Sequence, residues 1–352
     1  MPMKTVRLTD IAREVGVSSA TVSRVLTDGP HNRVSAQTRR KILNTAKRLG
    51  YEPNLAARTL VTGRAPLIGV VMPYLAAEQF PAIIAGVEAR ASAGGYQTLV
   101  VSGRGTGQVK AIEALMSHHV SGAIVCPLDK DEDEELREAA DRLPPIVLVE
   151  RPIPHPSAPT VSADNRHGGW QCGQWLAAQR CDRVLFVHLK HGQFPSVWTQ
   201  RLTGLKEGLA TAETEIRELF INEVAEEVLR QVLTWLGGAE RPGFFLSTLL
   251  FLPALQRRAE AVGWNLPAHT HLCGFDRAHF TLDDLNVVAA VTRLEHPPYY
   301  VVYSGQAIGR EAAELIIQRL GHGGWPRQTV TVPVTPGSNH NTCREKSEWA
   351  RQ

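Results

Sequence analysis

Cysteine is scarce and poorly spaced for bridging. Five occur in 352 residues, at Cys126, Cys172, Cys181, Cys273 and Cys343, with no Cys-x-x-Cys pair. An odd, scattered set excludes a disulfide framework and offers no thiolate zinc site, as expected of a protein in a reducing compartment. Long hydrophobic runs are missing too. The greasiest stretch, Gly243–Leu255, is too short to span a bilayer and is broken by Ser247, Thr248 and Pro253. The N-terminus passes straight into polar, helix-forming sequence, so a cytoplasmic protein is expected. Catalytic signatures are also lacking: GxSxG, HExxH and GxxxxGK[ST] do not occur. The histidines fall in loose pairs, His118 with His119, His188 with His191, and His269 with His271, and no second cluster at metal-ligand spacing accompanies them. Gly103–Gly107 follows a strand and precedes a helix without the GxGxxG spacing. The acidic run Asp129–Glu135 lacks the glycine of a calcium loop. No metal, no cofactor and no enzymatic activity are therefore expected.

What is present is an asymmetry of charge. The net charge of +3 is small, but residues 1–64 hold twelve Lys and Arg against four Asp and Glu. The head carries +8 and the remaining chain −5. A basic head on a mildly acidic body points to one end meeting a polyanion. Within the head, Ile11 and Val15 recur at helical spacing, with Ala12 small enough for a second helix to come close. Gly16 stands where a helix-to-helix turn needs a left-handed residue, and Ser18 is a natural N-cap for the next helix. Val22, Val25 and Leu26 return to the core, leaving Ser19, Ala20, Ser23 and Arg24 facing outward from its first turns. A recognition helix presents such positions to base edges, while Ser and Thr hydroxyls bind phosphate. A third helix is expected from the Ser35 cap, the apolar face of Ile42, Leu43, Ala46 and Leu49, and the terminating Gly50.

The order GVSxxTVSRVL (Gly16–Leu26), RVS (Arg33–Ser35) and GYxPNxxARxL (Gly50–Leu60) resembles the lactose-repressor (LacI) family of bacterial regulators. The resemblance implies a DNA interface formed by Thr9, Ser18, Ser19, Ala20, Thr21, Ser23 and Arg24. It also implies a hinge helix from Asn54 to Leu60 that orders only when paired with its dimer mate on DNA. Asn54 would cap that helix, with Ala57 and Arg58 along it. Leu60 matches a leucine wedged into the minor groove, where an apolar wedge unstacks a base step and bends the duplex. A seven-residue helix is too short to be stable alone, as a switchable hinge requires.

From Pro66 the chain alternates β-rich runs with helical stretches, the pattern of parallel sheets covered by helices. Strands are expected at Leu67–Met72, Thr98–Val101, Gly122–Cys126, Ile146–Val149, Val184–Val187, Glu218–Ile221, Gly243–Leu246 and His271–Phe275. Helices are expected at about 79–93, 107–118, 132–142, 166–179, 199–211, 223–236, 249–262 and 304–319. The fold expected is an N-terminal all-α helix-turn-helix domain followed by an α/β body of two doubly wound subdomains. The resemblance describes that body as periplasmic-binding-protein-like, with the effector held between the subdomains. The domains read as 1–52 (helix-turn-helix), 53–65 (hinge and linker), 66–340 (effector binding and dimerisation) and 341–352 (polar tail).

Candidate effector contacts fall at strand ends, where ligands of such sheets bind. Tyr74 and Phe80 follow the first strand as an aromatic wall. Arg151 in Glu-Arg-Pro, Asp164-Asn165, Arg201 in Arg-Leu-Thr-Gly-Leu and Asp276 in Gly-Phe-Asp match segments of the family. Where many relatives carry Asn-Asp after the seventh strand, this chain has Ser247-Thr248, which removes a carboxylate and suits an anionic effector, as in the fructose-responsive (Cra/FruR-like) branch. Thr248 joins the candidate set there. The expectation is a sequence-specific transcriptional regulator, most simply a homodimeric repressor on a pseudo-palindromic DNA operator, gated by a sugar or sugar phosphate. The alternative is a sugar-binding protein or sugar-processing enzyme with an incidental basic extension.

Overall fold

The computed structural model describes residues 6–27, 34–51, 64–73, 79–103, 106–127, 133–142, 145–153, 158–188, 195–221, 224–264, 269–275 and 298–337. The chain forms two compact units, Met1–Ala65 and Pro66–Gln352.

The first unit is helical: α1 (Leu8–Val15), α2 (Ser19–Thr27) and α3 (Ala36–Leu49). Arg7 N–H donates to Asp10 Oδ2 at 2.9 Å at the start of α1. Gly16 ends it in the left-handed region (φ 75°), its N–H returning to the Ala12 carbonyl. A side chain resists that backbone angle, so glycine sets the turn. Ser18 Oγ accepts the Thr21 N–H at 3.1 Å, and Ser35 Oγ accepts the Thr38 N–H at 3.2 Å. Both expected caps are made. Ile11, Ala12, Val22, Val25, Ile42 and Ala46 form one small core among the three helices.

The second unit holds two sheets of six strands. The first has the order β2–β1–β3–β4–β5–β11, from β1 (Leu67–Met72), β2 (Gln97–Ser102), β3 (Gly122–Val125), β4 (Ile146–Val149), β5 (Thr160–Ala163) and β11 (Thr329–Val332). The second has the order β7–β6–β8–β9–β10–β12, from β6 (Arg183–His188), β7 (Glu215–Phe220), β8 (Pro242–Leu246), β9 (His271–Phe275), β10 (Tyr299–Tyr303) and β12 (Val334–Pro336). In each lobe the first strand lies between the second and third. That places a topological switch point between β1 and β3 and another between β6 and β8. Pairing is parallel except for β10 with β12.

Strand periodicity delivers a core to each face of each sheet. On one side of the first sheet, Ile68, Val70 and Met72 meet α4 (Gln79–Ala93) and α11 (Gly305–His322). On the other, Val71 meets α5 (Thr106–Ser117) and α6 (Asp133–Arg142). In the second lobe, Val184 and Phe186 face α7 (Asn165–Ala178) and α8 (Pro195–Gly208). Leu185 and Val187 face α9 (Glu226–Gly237) and α10 (Leu252–Ala261).

The chain passes between lobes three times: at Asp164 after β5, at Ser304 before α11, and at Pro333 between β11 and β12. Asp164 and Ser304 cap the helices that follow, accepting from His167 N at 3.0 Å and Ala307 N at 3.1 Å. The first and third passages are joined, since Asp164 N–H donates to the Val332 carbonyl at 2.9 Å.

Eight of the twelve strands stand where the sequence places them, with one displaced. β7 begins at Glu215 rather than Glu218, because it is an edge strand whose exposed positions admit charged residues. The helix expected from 199 begins at Pro195, a residue suited to a first helical turn. β5, β10, β11 and β12 have no counterpart among the expected strands; β5 and β11 interleave Thr or Ser with Val, and β12 is three residues ending in proline. The described cysteines, Cys126, Cys172, Cys181 and Cys273, are buried and unbridged, and no helix among the described residues is long and apolar enough to cross a membrane.

Candidate functional site

In the helical head, Thr9, Ser18, Ser19, Ala20 and Arg24 are exposed, and Thr21 and Ser23 are half-buried. Apart from Thr9, in the first turn of α1, they lie in the turn and along α2, because Val22 and Val25 turn the opposite side of that helix into the core. Ser18 and Thr21 hydroxyls hydrogen-bond each other at 2.9 Å, which fixes the helix start and leaves small polar groups on its surface. Arg39, Arg40, Lys41, Lys47 and Arg48 run along α3, with Arg48 paired to Glu14. Asn54, Ala57, Arg58 and Leu60 lie outside the described residues.

In the body, Arg151 and Thr248 follow the C-terminal ends of β4 and β8, and Arg201 reaches the latter through the Ser247 carbonyl. β4 ends in Glu150, whose φ of 66° is unusual for a residue with a side chain. That sharp turn directs Arg151 inward, where it is 2% exposed. Its guanidinium grips both oxygens of Asp133 in a fork, at 2.8 Å from Nη1 to Oδ2, and Nε reaches the Pro127 carbonyl at 3.4 Å. Arg151 thus ties β4 to the start of α6. Phe80 is also a wall component rather than a lining group. It is fully buried in the core with Met72, Ile83 and Ile308. Tyr74 and Asp276 lie outside the described residues.

Arg201 is positioned differently. It projects from α8, 2% exposed, and spans three elements of its lobe. Nε donates to Asn165 Oδ1 at 2.8 Å in the first turn of α7, and Nη1 donates to the Ser247 carbonyl just after β8. Its central carbon lies 3.6 Å from the centre of the Phe275 ring at the end of β9, and 5.3 Å from that of Trp198. Asn165 is oriented for this, since its Nδ2 donates to the Ala163 carbonyl at 3.1 Å. Ser247 N–H donates to Val187 at 2.9 Å, so Ser247 sits at the β6–β8 switch point. Thr248 beside it is 7% exposed. At the end of β6, His188 is packed between Phe186 (4.8 Å between ring centres) and Phe220 (4.6 Å), with Nε2 3.4 Å from Glu218 Oε2. Burial pushes the imidazole below its usual range against the opposing pull of Glu218.

Asn165 and Ser247, both named in segments read from the sequence, complete this centre together with Phe275 and Trp198, and of the latter two Trp198 carries a readable signal. Trp198 precedes Arg201 by three residues, the spacing at which helical side chains meet. Val197 and Trp198 also pack against the core of the other lobe, placing the first turn of α8 on the boundary between the lobes.

Comparison with known proteins gives this arrangement a place. Residues 7–54 match the model described as bacterial regulatory proteins of the lacI family, and residues 68–246 match a periplasmic binding protein domain. The GalR regulator of Salmonella typhimurium is 28% identical over 94% of this chain and 94% of its own length. The CelR regulator of Thermobifida fusca is 29% identical over 88% of this chain and 90% of its length. Among solved structures, a lac repressor dimer bound to operator and an anti-inducer superposes with a TM-score of 0.69 at 22% identity, covering 96% of this chain and 99% of its own. The chain belongs to the lacI family of bacterial transcriptional regulators.

Proposed function

We infer that this protein is a cytoplasmic, homodimeric repressor whose grip on a pseudo-palindromic operator is set by a small effector, a sugar or sugar phosphate, and that it is not an enzyme. The observation that carries this reading is the union, in one chain, of a capped helix-turn-helix in a basic unit with a two-lobed body whose buried Arg201 stands at a switch point. Relatives support the effector class: a solved CelR regulator holds cellobiose, and a solved Cra regulator from Pseudomonas putida holds fructose 1-phosphate.

On this reading Ser19, Ala20, Ser23 and Arg24 face the major groove, and Thr9, Ser18 and Thr21 meet phosphates. The family resemblance adds Asn54, Ala57, Arg58 and Leu60 at the operator centre. Because Ser19 and Ala20 are short, base readout leans on Arg24 and on DNA shape. Arg201 and Thr248, with Tyr74 read from its place after the first strand and Asp276 carried over from the family, contact the effector, while Arg151 and Phe80 hold the wall behind them. Effector binding alters the angle between the lobes, and operator affinity shifts by the difference in effector affinity between the two states.

The test is a gel shift on a pseudo-palindromic operator at two salt concentrations, with and without fructose 1-phosphate, fructose or cellobiose. Specific binding should survive competitor DNA and weaken with salt, because each neutralised phosphate releases counterions. Equal affinity for operator and random DNA at both salts refutes the reading.

A further inference from the structure

The outer side of α3 carries charge of one sign. Ile42 and Ala46 turn its inner side into the core of the head. Arg40, Lys41, Asn44 and Lys47 are exposed, and Arg48 reaches across to Glu14 of α1. Arg40 and Lys47 lie two turns apart on one side of the helix, about 10 Å along its axis. α3 holds five cations and no acid, and the whole head has four acids. Asp10 serves the start of α1 and Arg13, and Glu14 serves Arg48. Asp28 and Glu52 lie outside the described residues, and with both of them placed on α3 its five cations would still meet only three acids. Helix stability does not ask for this pattern. Lys47 and Arg48 suit a C-terminal turn, but the N-terminal end of a helix favours acids, and there α3 has none and continues into Arg39, Arg40 and Lys41. With no acid in the helix, no i,i+4 ion pair forms along it.

We propose that this outer face of α3 is a second DNA-backbone site on the head, one that takes a duplex other than the one α2 reads. This rests on the regulator reading above and extends it. The face fits a polyanion. Duplex DNA presents one negative charge per ~1.7 Å of its axis, and exposed cations along two helical turns neutralise phosphates without reading bases. A protein partner fits less well, since interface cores are rich in aromatic residues and poor in lysine. Leu43, 42% exposed, is the single large apolar side chain exposed in the described head. The two DNA faces are separate because α2, through Val22 and Val25, and α3, through Ile42 and Ala46, turn inward onto the same small core. Their outer sides diverge, so a straight duplex along one does not run along the other. A head built this way takes hold of a second DNA segment while still on the first.

The experiment follows release of a fluorescent operator duplex, selected by the full chain from a randomised pool, as unlabelled random-sequence duplex is added at rising concentration. With a second site the release rate climbs with competitor concentration, because the competitor docks before the operator leaves. Three neutralised phosphates give that competitor-driven rate a log–log salt slope of about −2.7. The triple variant Arg40→Gln, Lys41→Gln, Lys47→Gln should release operator at a rate that ignores competitor. The charge-preserving variant Arg40→Lys, Lys41→Arg, Lys47→Arg should behave like the wild type. All three side chains are exposed, so both variants should also melt like the wild type. Equal acceleration in the wild type and the Gln variant overturns the proposal, since transfer then runs through the recognition helix of a second subunit. Competitor-independent release from the wild type overturns it too, as does loss of acceleration in both variants. A chain that selects no operator refutes the regulator reading instead, and the same chase from a labelled random duplex then decides the α3 site by itself.

Discussion

The position of Arg201 depends on how closely α7 and α8 approach, and Gly204→Ala tests that dependence. A Cβ at Gly204 would overlap the Arg166 carbonyl and stand 2.7 Å from the Trp170 nitrogen, whereas ordinary contact begins at 3.4 Å. Both obstacles are backbone, so no rotamer relieves them. The helices must separate by about 0.7 Å or more, and Gly173, whose Cβ would come within 2.6 Å of the Leu205 carbonyl, lies in the same contact. Overpacking of this kind costs about 1–3 kcal/mol. The Asn165–Arg201 bond at 2.8 Å spans this helix pair, so the same separation should weaken effector binding in a variant that touches no effector atom. Gly321→Ala is the control. It sits inside α11 with nothing within 4 Å of its Cβ, and should gain about 0.5–1 kcal/mol from reduced unfolded-state entropy. Urea unfolding followed by circular dichroism measures both. A Gly204→Ala protein within 0.5 kcal/mol of the wild type, with unchanged effector affinity, would refute the reasoning.

Asp133→Asn strips the buried Arg151 of a carboxylate partner and should cost about 3–5 kcal/mol in urea unfolding; a loss under 1 kcal/mol means that the pair is dispensable. His188 is held below its usual range by burial, so the unfolded chain binds its proton first as pH falls. Stability should therefore be full above the unfolded value near 6.5 and drop as pH descends from there through the folded value, and His188→Gln should flatten that slope in unfolding curves at pH 7.5 and 5. Ser18→Ala removes the cap of α2 and should cost the head about 1 kcal/mol, read as weaker operator binding and faster amide exchange at Thr21.

Which features were legible in the sequence follows from the range of the forces behind them. Gly16, Ser18, Ser35 and Gly50 act through backbone groups within four residues of themselves, so their roles could be read directly and the structure agrees with each. The central strands are buried on both faces, which writes them as continuous Val, Ile and Leu. The first half of β7 escaped because one edge is open to water and Glu215 and Arg217 are tolerated there. β11 alternates exposed Thr with buried Val and so lacks the continuous apolar run by which the equally short β3 and β4 are read. At the cleft, sequence put Arg151 and Arg201 in one category. Only the fold distinguishes them, because Asp133 and Ser247 are respectively 18 and 46 residues away in the chain.

That difference bears on how the body can act as a switch. Arg151 is satisfied within its own lobe whatever the other lobe does. Arg201 holds α7, β8 and β9 together, and its neighbour Trp198 rests against the core of the opposite lobe. A ligand at Arg201 would therefore lie beside the surface on which the lobes meet. It can bias the lobe angle only by as much as its affinity differs between the two angles. A tenfold change in operator affinity needs about 1.4 kcal/mol of such difference, slightly less than one charge-assisted hydrogen bond supplies at about 1.5–3 kcal/mol. With three strand passages linking the lobes and the Asp164–Val332 bond joining two of them, rotation is confined to few directions. A single contact at Arg201 is then large enough to select among them.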